Sequence, residues 1–199
     1  FQYLLDYHKD YYSENGKPSK GKKDSPLTPD GHLSTAEKKR ILLNNIFGVD
    51  LDVNAVEVTK LSLLIKCLEG ETEASIQQQL SMWNERVLPT LDNNIKSGNS
   101  LIDYDFYENQ LDFGEEKKIN PFSWQKAFTQ IFAQGGFDVV IGNPPYSLIG
   151  ADRKVEQEYY NSGRFELTSY KTNTYILFLE KGLNLIKKEN GILGYIIPK

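Results

Sequence analysis

The stretch Phe137-Asp-Val-Val-Ile-Gly-Asn-Pro-Pro-Tyr146 determines how the rest of the chain is interpreted. Its first half is apolar apart from Asp138 and β-branched from Val139 to Ile141, which is typical of a strand buried on both faces. Gly142 ends that pattern, and the two prolines that follow cannot donate hydrogen bonds to a sheet. The sequence therefore predicts a strand ending in a stiff loop at the carboxyl edge of a sheet, where α/β proteins bind ligands.

The four loop residues have a specific hydrogen-bonding character. Asn143 offers an amide oxygen and Pro144 a carbonyl without an N–H, so both present acceptors. Tyr146 adds a flat face on which a planar ring can stack, and Pro145 stiffens the loop. An exocyclic amino group of a nucleobase fits this set, because hydrogen bonds to its protons favour a pyramidal nitrogen with an available lone pair. A plain Asn-Pro-Pro turn after a strand is the structural alternative.

Earlier in the chain, the sequence predicts another strand, which ends in an acidic residue and is followed by a helix. Asn45 to Asp52 is predicted to be a short buried strand, and a helix capped at Asn54 is expected to reach about Glu69. Its apolar stripe consists of Val58, Leu61, Leu64, Ile65 and Leu68. An acid in this place commonly binds the two hydroxyls of a ribose, and Asp50 is the candidate, with Leu51 as an apolar wall beside an adenine ring. The alternative is that Asp50 is a helix cap.

Composition limits the classes of protein. The net charge of −4 argues against a chain that grips duplex DNA over a broad face, since phosphate contacts need Lys and Arg. The single cysteine, Cys67, excludes an internal disulfide and is typical of a reducing cytoplasm, which is the predicted location. The sequence contains no Cys/His cluster of the kind that binds a metal ion. It also contains no apolar run long enough to span a membrane.

Several further segments are assigned from spacing. Residues 13 to 33, rich in Gly, Pro and Lys, are predicted to be a mobile loop, and residues 147 to 172 a loop on the substrate side. Helices are predicted at 34 to 43, with Ser34 and Glu37 as a capping box, at 74 to 88, at 123 to 133 and at 172 to 190. Phe122, Trp124, Phe128 and Phe132 have the spacing of a packed helix face, although stacking on bases is an alternative.

These residues resemble a known family over nearly the whole chain. Asn143-Pro-Pro-Tyr146 is similar to the catalytic motif of S-adenosylmethionine-dependent amino-methyltransferases, above all the adenine-specific DNA methyltransferases. Ile46 to Val56 resembles the family's cofactor-ribose segment, and Gly98 to Leu101 resembles the motif after it. The pattern is most similar to the large type IIG restriction–modification polypeptides, which join methylation and cleavage in one chain.

The resemblance implies a fold, a cofactor and roles for named residues. The fold would be α/β, a Rossmann-like doubly wound methyltransferase sheet. S-adenosylmethionine would be bound by Asp50, Leu51, Asn99 and Ser100, and an adenine flipped out of DNA by Asn143, Pro144, Pro145 and Tyr146. Family members commonly carry Asp where this chain has Asn99, and an Asn oxygen can still accept a hydrogen bond, without the strength that charge adds.

The resemblance also predicts that the sheet is incomplete. The family's first strand with its glycine-rich loop, and its C-terminal strands, are not found in residues 1 to 199, which would form a partial catalytic domain. The isolated chain is therefore expected to be inactive, and target-recognition and possible nuclease regions are expected in the parent chain. Two alternatives remain open: methylation of a protein glutamine or of ribosomal RNA, and a non-catalytic nucleic-acid-binding remnant of the fold.

Overall fold

The computed structural model describes residues 1–15, 25–71, 89–107, 119–150, 153–168 and 173–197. The chain divides into two compact units, Phe1–Ser97 and Gly98–Lys199. Each unit is described by itself. The predicted helix at 74 to 88, and parts of the predicted loops at 13 to 33 and 147 to 172, lie outside the described residues.

The first unit combines three helices with one pair of strands. Strands β1 and β2 are parallel, with Gly48 opposite Ile95 and Asp50 opposite Ser97. In chain order the elements are α1 (Gln2–Asn15), α2 (Thr35–Asn45), β1 (Gly48–Asp50), α3 (Val53–Leu68) and β2 (Ile95–Ser97). A buried cluster that includes Leu42, Val56 and Ile95 joins α2, α3 and β2.

The helix starts in this unit follow the cap signals in part. Ser34 caps α2 as predicted, its side chain accepting from the Glu37 N–H at 3.3 Å. The other half of the capping box is not made, because the Ser34 N–H bonds to the Pro26 carbonyl at 2.9 Å. The predicted cap Asn54 is wrong: Asp52 caps α3 and accepts from the Asn54 N–H at 2.8 Å.

Helix α3 buries only part of the apolar stripe identified from the sequence, since Leu64 packs against the buried cluster while other members are exposed. Val58, Leu61 and Ile65 are 64%, 59% and 56% exposed, whereas Val56 and Cys67 are buried. Apolar residues occupy more than one face of this helix, so their spacing does not identify the face that meets α2 and β2. The exposed stripe and the buried side are both apolar, and packing partners decide between them.

The second unit contains the central stretch. Its elements are a 3₁₀ turn (Tyr104–Tyr107), α4 (Trp124–Ala127), α5 (Thr129–Ala133), β3 (Val139–Gly142), α6 (Lys154–Tyr159), a π turn (Tyr160–Arg164), α7 (Thr174–Leu185) and β4 (Ile192–Tyr195). Strands β3 and β4 are parallel, with Val139 opposite Ile192 and Gly142 opposite Tyr195. Helix α7 ends earlier than predicted, because Phe137 and Ile186 pair in an extended bridge.

Strand β3 is covered on one face only, so the prediction of a strand buried on both faces is wrong. Val139 and Ile141 are 54% and 79% exposed. The other face of the β3–β4 pair meets α7 so closely that a Cβ added at Gly182 would lie 2.7 Å from Leu193 Cδ1. The described residues form a mixed α/β structure with two separate two-stranded parallel sheets. They do not reveal the doubly wound sheet that the sequence predicts.

The aromatic residues between positions 122 and 132 pack in the core of the second unit, as their spacing indicates. Phe122 and Phe128 are buried, and the rings of Trp124, Phe128 and Phe132 each lie within 6 Å of the Phe137 ring centroid. The predicted helix at 123 to 133 is broken at Phe128 into α4 and α5. The segment predicted as a substrate-side loop contains α6, and its Tyr159 and Tyr160 are buried.

Candidate active site

The loop after β3 begins where the strand pairing ends. The Gly142 carbonyl accepts a hydrogen bond from the Ile196 N–H at 3.2 Å, one residue beyond the last residue of β4. Pro144 and Pro145 have no N–H, so the chain leaves the sheet here for the physical reason that the sequence indicates. Both proline peptide bonds are trans, since the chain contains no cis peptide in the described ranges.

The two predicted acceptors differ in exposure. Asn143 and Pro145 are exposed, and Tyr146 is 46% exposed, whereas Pro144 is buried. Among the described residues the Pro144 carbonyl accepts no hydrogen bond. Asn143 Oδ1 accepts one, from the Tyr146 hydroxyl at 3.0 Å, and an amide oxygen has a second lone pair. The loop therefore holds acceptor capacity that the described part of the chain does not use.

The Tyr146 side chain joins the loop to the neighbouring strand. Its hydroxyl lies 2.7 Å from the Ile196 carbonyl oxygen as well as 3.0 Å from Asn143 Oδ1. A phenol has one hydrogen to donate, so the shorter bond to Ile196 and the bond to Asn143 compete for it. The ring meets Tyr175 edge-on at a centroid distance of 6.3 Å. One edge of the ring is thus supported, and part of the ring remains accessible.

Thr174 and Ser147 hold the far end of the loop. The Thr174 hydroxyl lies 2.6 Å from the Pro145 carbonyl, and the Thr174 N–H donates to the Ser147 carbonyl at 2.9 Å. Sequence reasoning missed these residues and Ile196. A threonine at the start of a predicted helix is a weak signal by itself, because its partners lie 27 and more residues away along the chain.

Asp50 ends β1 in the first unit and is exposed. Its Oδ1 accepts from the Asp52 N–H at 2.8 Å, and its Oδ2 has no hydrogen bond within the described part of the chain. Because Asp52 is the residue that caps α3, the alternative role of Asp50 as a helix cap is already filled. Leu51 follows with 55% of its surface exposed. A free carboxylate oxygen beside an exposed apolar side chain fits a ribose and its base.

Asn99 and Ser100 begin the second unit and form a tight turn. Asn99 Oδ1 accepts from the Leu101 N–H at 3.1 Å, and the Ser100 carbonyl accepts from the Trp124 indole at 3.1 Å. Gly98 packs so tightly that an added Cβ would lie 2.6 Å from the Cβ of Phe122. Because an amide oxygen has two lone pairs and the Leu101 N–H uses one, Asn99 Oδ1 keeps the other for a ligand. Of the predicted cofactor residues, Asp50 and Leu51 thus belong to the first unit, and Asn99 and Ser100 belong to the second.

A polar cavity of about 350 Å³ in the second unit contains none of the predicted site residues. Arg164 pairs with Asp105 at 2.7 Å in its wall, and Tyr159 donates to the same carboxylate at 2.8 Å. Burial alone would raise the pKa of Asp105, but these hydrogen bonds outweigh it and lower that pKa. Burial lowers the pKa of Lys181, which also lines the cavity. Asp103 and Asp105 face the cationic side chains of Arg164 and Lys181 in the wall of this cavity, so the lining favours neither an anionic nor a cationic ligand.

No group of three His, Cys, Asp or Glu side chains in the described ranges has the arrangement to hold a metal ion. None of the helices there is long and apolar enough to cross a membrane.

The loop from Asn143 to Tyr146 lies within a segment that matches the model of a protein family. The chain belongs to that family, the Eco57I restriction-modification methylases. The match covers residues 44–199. Among curated proteins, the chain is similar to the type II restriction enzyme and methyltransferase RM.Eco57I of Escherichia coli. Identity is 36% over 206 residues, which cover 100% of this chain and 18% of the relative.

A second relative is RM.MjaORFECS2P of Methanocaldococcus jannaschii. It is 35% identical over 85 residues, covering 42% of this chain and 6% of that protein. The chain thus spans less than a fifth of the length of the curated relatives that it matches. The predicted resemblance to restriction–modification methyltransferases is confirmed at the level of the family.

Proposed function

We propose that this chain carries the target-base loop of a DNA methyltransferase that modifies the exocyclic amino group of adenine. The observation that carries the proposal is the loop after β3. It combines the exposed Asn143 amide, a Pro144 carbonyl that has no partner among the described residues and a partly exposed Tyr146 ring at the end of a parallel strand. Membership of a restriction-modification methylase family supports DNA as the substrate.

The chemistry of the loop suits a neutral amino group. Asn143 Oδ1 and the Pro144 oxygen accept its two hydrogens, and neither can donate to its lone pair. Bonds to both hydrogens favour a pyramidal nitrogen, which returns the lone pair from the ring to the nitrogen. The exposed part of the Tyr146 ring offers a stacking surface worth about 1–3 kcal/mol to a base outside its helix. The loop acts by alignment and needs no covalent nucleophile.

The cofactor proposed for this reaction is S-adenosylmethionine, which supplies a methyl group on a positively charged sulfur. Asp50 and Leu51 fit its adenosine part, because Asp50 Oδ2 has no partner among the residues that the structure describes and Leu51 is exposed beside it. Asn99 has one remaining lone pair for an adenine amino group. Ser100 belongs to the same turn, and its carbonyl is used by Trp124.

The flipped base follows from geometry that a duplex cannot satisfy. An amino group paired inside DNA cannot reach two acceptors and an aromatic face on one protein loop, so the base must leave the stack. The net charge of −4 means that other regions of the full-length protein would supply most phosphate contacts.

The test replaces Asn143 in the full-length protein. Asn143→Ala should lower methyl transfer to unmodified genomic DNA by about 100-fold or more, as removal of one preorganised polar contact does in other enzymes. Transfer is followed with labelled cofactor, and cofactor affinity by calorimetry should stay within about twofold, because Asn143 is not among the cofactor residues. Asn190→Ala, an exposed amide in the turn before β4, is the matched control and should behave as wild type.

Two outcomes would reject the proposal. Turnover of Asn143→Ala equal to that of the control would remove the role of the loop. Label that enters protein or RNA instead of DNA would remove the proposed substrate and favour the alternative amino-methyltransferases.

A further inference from the structure

The Thr174 hydroxyl is directed at the loop and not at its own helix. Thr174 is the first residue of α7 and is only 2% exposed. The residue before it, Asn173, is the N-cap and makes no side-chain capping bond. The Thr174 hydroxyl instead lies 2.6 Å from the Pro145 carbonyl and 3.3 Å from the Ser147 N–H. Its contacts are therefore with the segment that follows Pro144.

The number of hydrogens and lone pairs on the Thr174 hydroxyl decides which of its contacts it donates to and which it accepts from. A hydroxyl has one hydrogen and two lone pairs. The shortest contact, to the Pro145 carbonyl at 2.6 Å, takes the hydrogen in preference to the Ser147 carbonyl at 3.0 Å. The two lone pairs are then free to accept from the Ser147 N–H at 3.3 Å and from the Ser147 hydroxyl at 3.2 Å. The Thr174 backbone N–H donates separately to the Ser147 carbonyl at 2.9 Å. Thr174 thus holds the chain on both sides of Tyr146, through Pro145 and Ser147.

The composition of the loop explains why an outside group is required. Between Gly142 and Ser147, Pro144 and Pro145 have no N–H, so two of the four intervening residues cannot fix the backbone by donating. Fixation must act on carbonyls and side chains. The loop is held by β4 at one end, where Ile196 donates to the Gly142 carbonyl, and by Thr174 at the other.

We propose that Thr174 is a positioning residue for methyl transfer, which fixes the Pro145 peptide and through it the directions of the Pro144 carbonyl and the Asn143 amide. This inference rests on the proposed function of the loop. Thr174 does not touch the base. Its effect is to keep two acceptors aimed at one nitrogen, so its loss should lower the rate of the chemical step more than binding.

Three variants separate this role from a general role in folding. Thr174→Val removes the hydroxyl at nearly constant shape, and Thr174→Ser restores it. Thr129→Val is the matched control, because the Thr129 hydroxyl also bonds to backbone carbonyls at a helix start in the same unit, but it is exposed and its partners, Gln125 and Lys126, lie in the adjacent helix α4 and not in the loop.

Hydrogen exchange in the full-length protein is the first measurement. Thr174→Val should speed exchange of the Ser147 amide several-fold, because that amide loses its acceptor, while amides in the middle of α7 exchange as in wild type. Thr174→Ser and Thr129→Val should both match wild type. Unchanged exchange at Ser147 in Thr174→Val, with α7 intact, would overturn the anchor.

Methyl transfer in the full-length protein is the second measurement. Thr174→Val should lower kcat roughly tenfold, with KM for the cofactor within about twofold, and Thr174→Ser should recover most of the rate. If Asn143→Ala is inactive and Thr174→Val keeps the wild-type kcat, the inference about Thr174 fails alone. If Asn143→Ala is fully active, the proposed function fails and the positioning role with it. A loss in Thr174→Ser as large as in Thr174→Val would also overturn the role of the hydroxyl.

Discussion

The Tyr146 hydroxyl lies 2.7 Å from the carbonyl oxygen of Ile196, just beyond the end of strand β4. The Ile196 N–H donates in turn to the Gly142 carbonyl at 3.2 Å. Ile196, which follows β4, therefore holds the loop through both its N–H and its carbonyl. The ring of Tyr146 and its hydroxyl have separate tasks in this arrangement, since the ring is partly accessible and the hydroxyl is engaged by protein.

Substitutions at Tyr146 should separate these two tasks. Tyr146→Phe keeps the ring and removes a hydrogen bond worth about 1 kcal/mol, so methyl transfer should fall roughly fivefold. Tyr146→Ala also removes the stacking surface, and the further loss should reach about 1–3 kcal/mol, or roughly 5- to 150-fold. The measurement is kcat of the full-length protein on unmodified DNA. An equal loss in both variants would show that the ring contributes nothing.

Asp50 should control cofactor affinity without affecting the loop. Asp50→Asn removes the charge that would accept from ribose hydroxyls, a kind of hydrogen bond worth about 1.5–3 kcal/mol, so the Kd for S-adenosylmethionine should rise about 10- to 100-fold. Asp52→Asn is the matched control, because it removes the same charge two residues on while Asn remains a good cap for α3. Calorimetry on the full-length protein measures both. Equal weakening in the two variants would argue for a general effect of charge.

Glu37 should make the first unit sensitive to acid. Its carboxylate accepts from the Arg40 guanidinium at 2.6 and 2.8 Å and from the Tyr12 hydroxyl at 2.7 Å. Burial alone would raise the pKa of Glu37, but these bonds outweigh it and lower the pKa below the ordinary value of 4.5. A carboxyl with a lowered folded pKa stabilises the fold above its unfolded pKa, and this contribution is lost as pH falls through the folded pKa.

The corresponding measurement is urea unfolding of wild type and Glu37→Gln from pH 7 to pH 3. Wild type should be more stable at neutral pH by about 1 kcal/mol or more, and the difference should shrink as the pH falls below about 4.5. Glu189→Gln, an exposed carboxylate in the turn before β4, is the control and should leave the curve unchanged. A stability difference that is independent of pH would contradict this account of Glu37.

Local signals predicted the parts of the structure that depend on neighbours in sequence. Ser34 caps α2, and Gly142 with the two prolines ends β3, because a cap and a strand end are determined by residues within a few positions. The predicted cap at Asn54 fails by two residues, because two acidic or amide side chains, at 52 and 54, compete for the same helix start.

Long-range contacts explain what the sequence could not predict. The pattern Val139-Val140-Ile141 indicates an apolar strand, but only the number of covering layers decides whether one face or both are buried. In the same way, Thr174 and Ile196 reach the loop from helix α7 and from beyond strand β4, and their contacts are visible only after the chain has folded. The loop's chemistry is local, and its support is not.

The alignment of β3 with β4 has a consequence for how the loop tolerates change. Gly142 faces Tyr195 in the present pairing, which places Ile196 beside the loop. A slip of one residue between the strands would turn Leu193 and Tyr195 away from α7 and would carry the Ile196 carbonyl out of reach of Tyr146. Insertions or deletions in the connection between α7 and β4 that moved this frame would therefore disable the loop, although no loop residue had been altered.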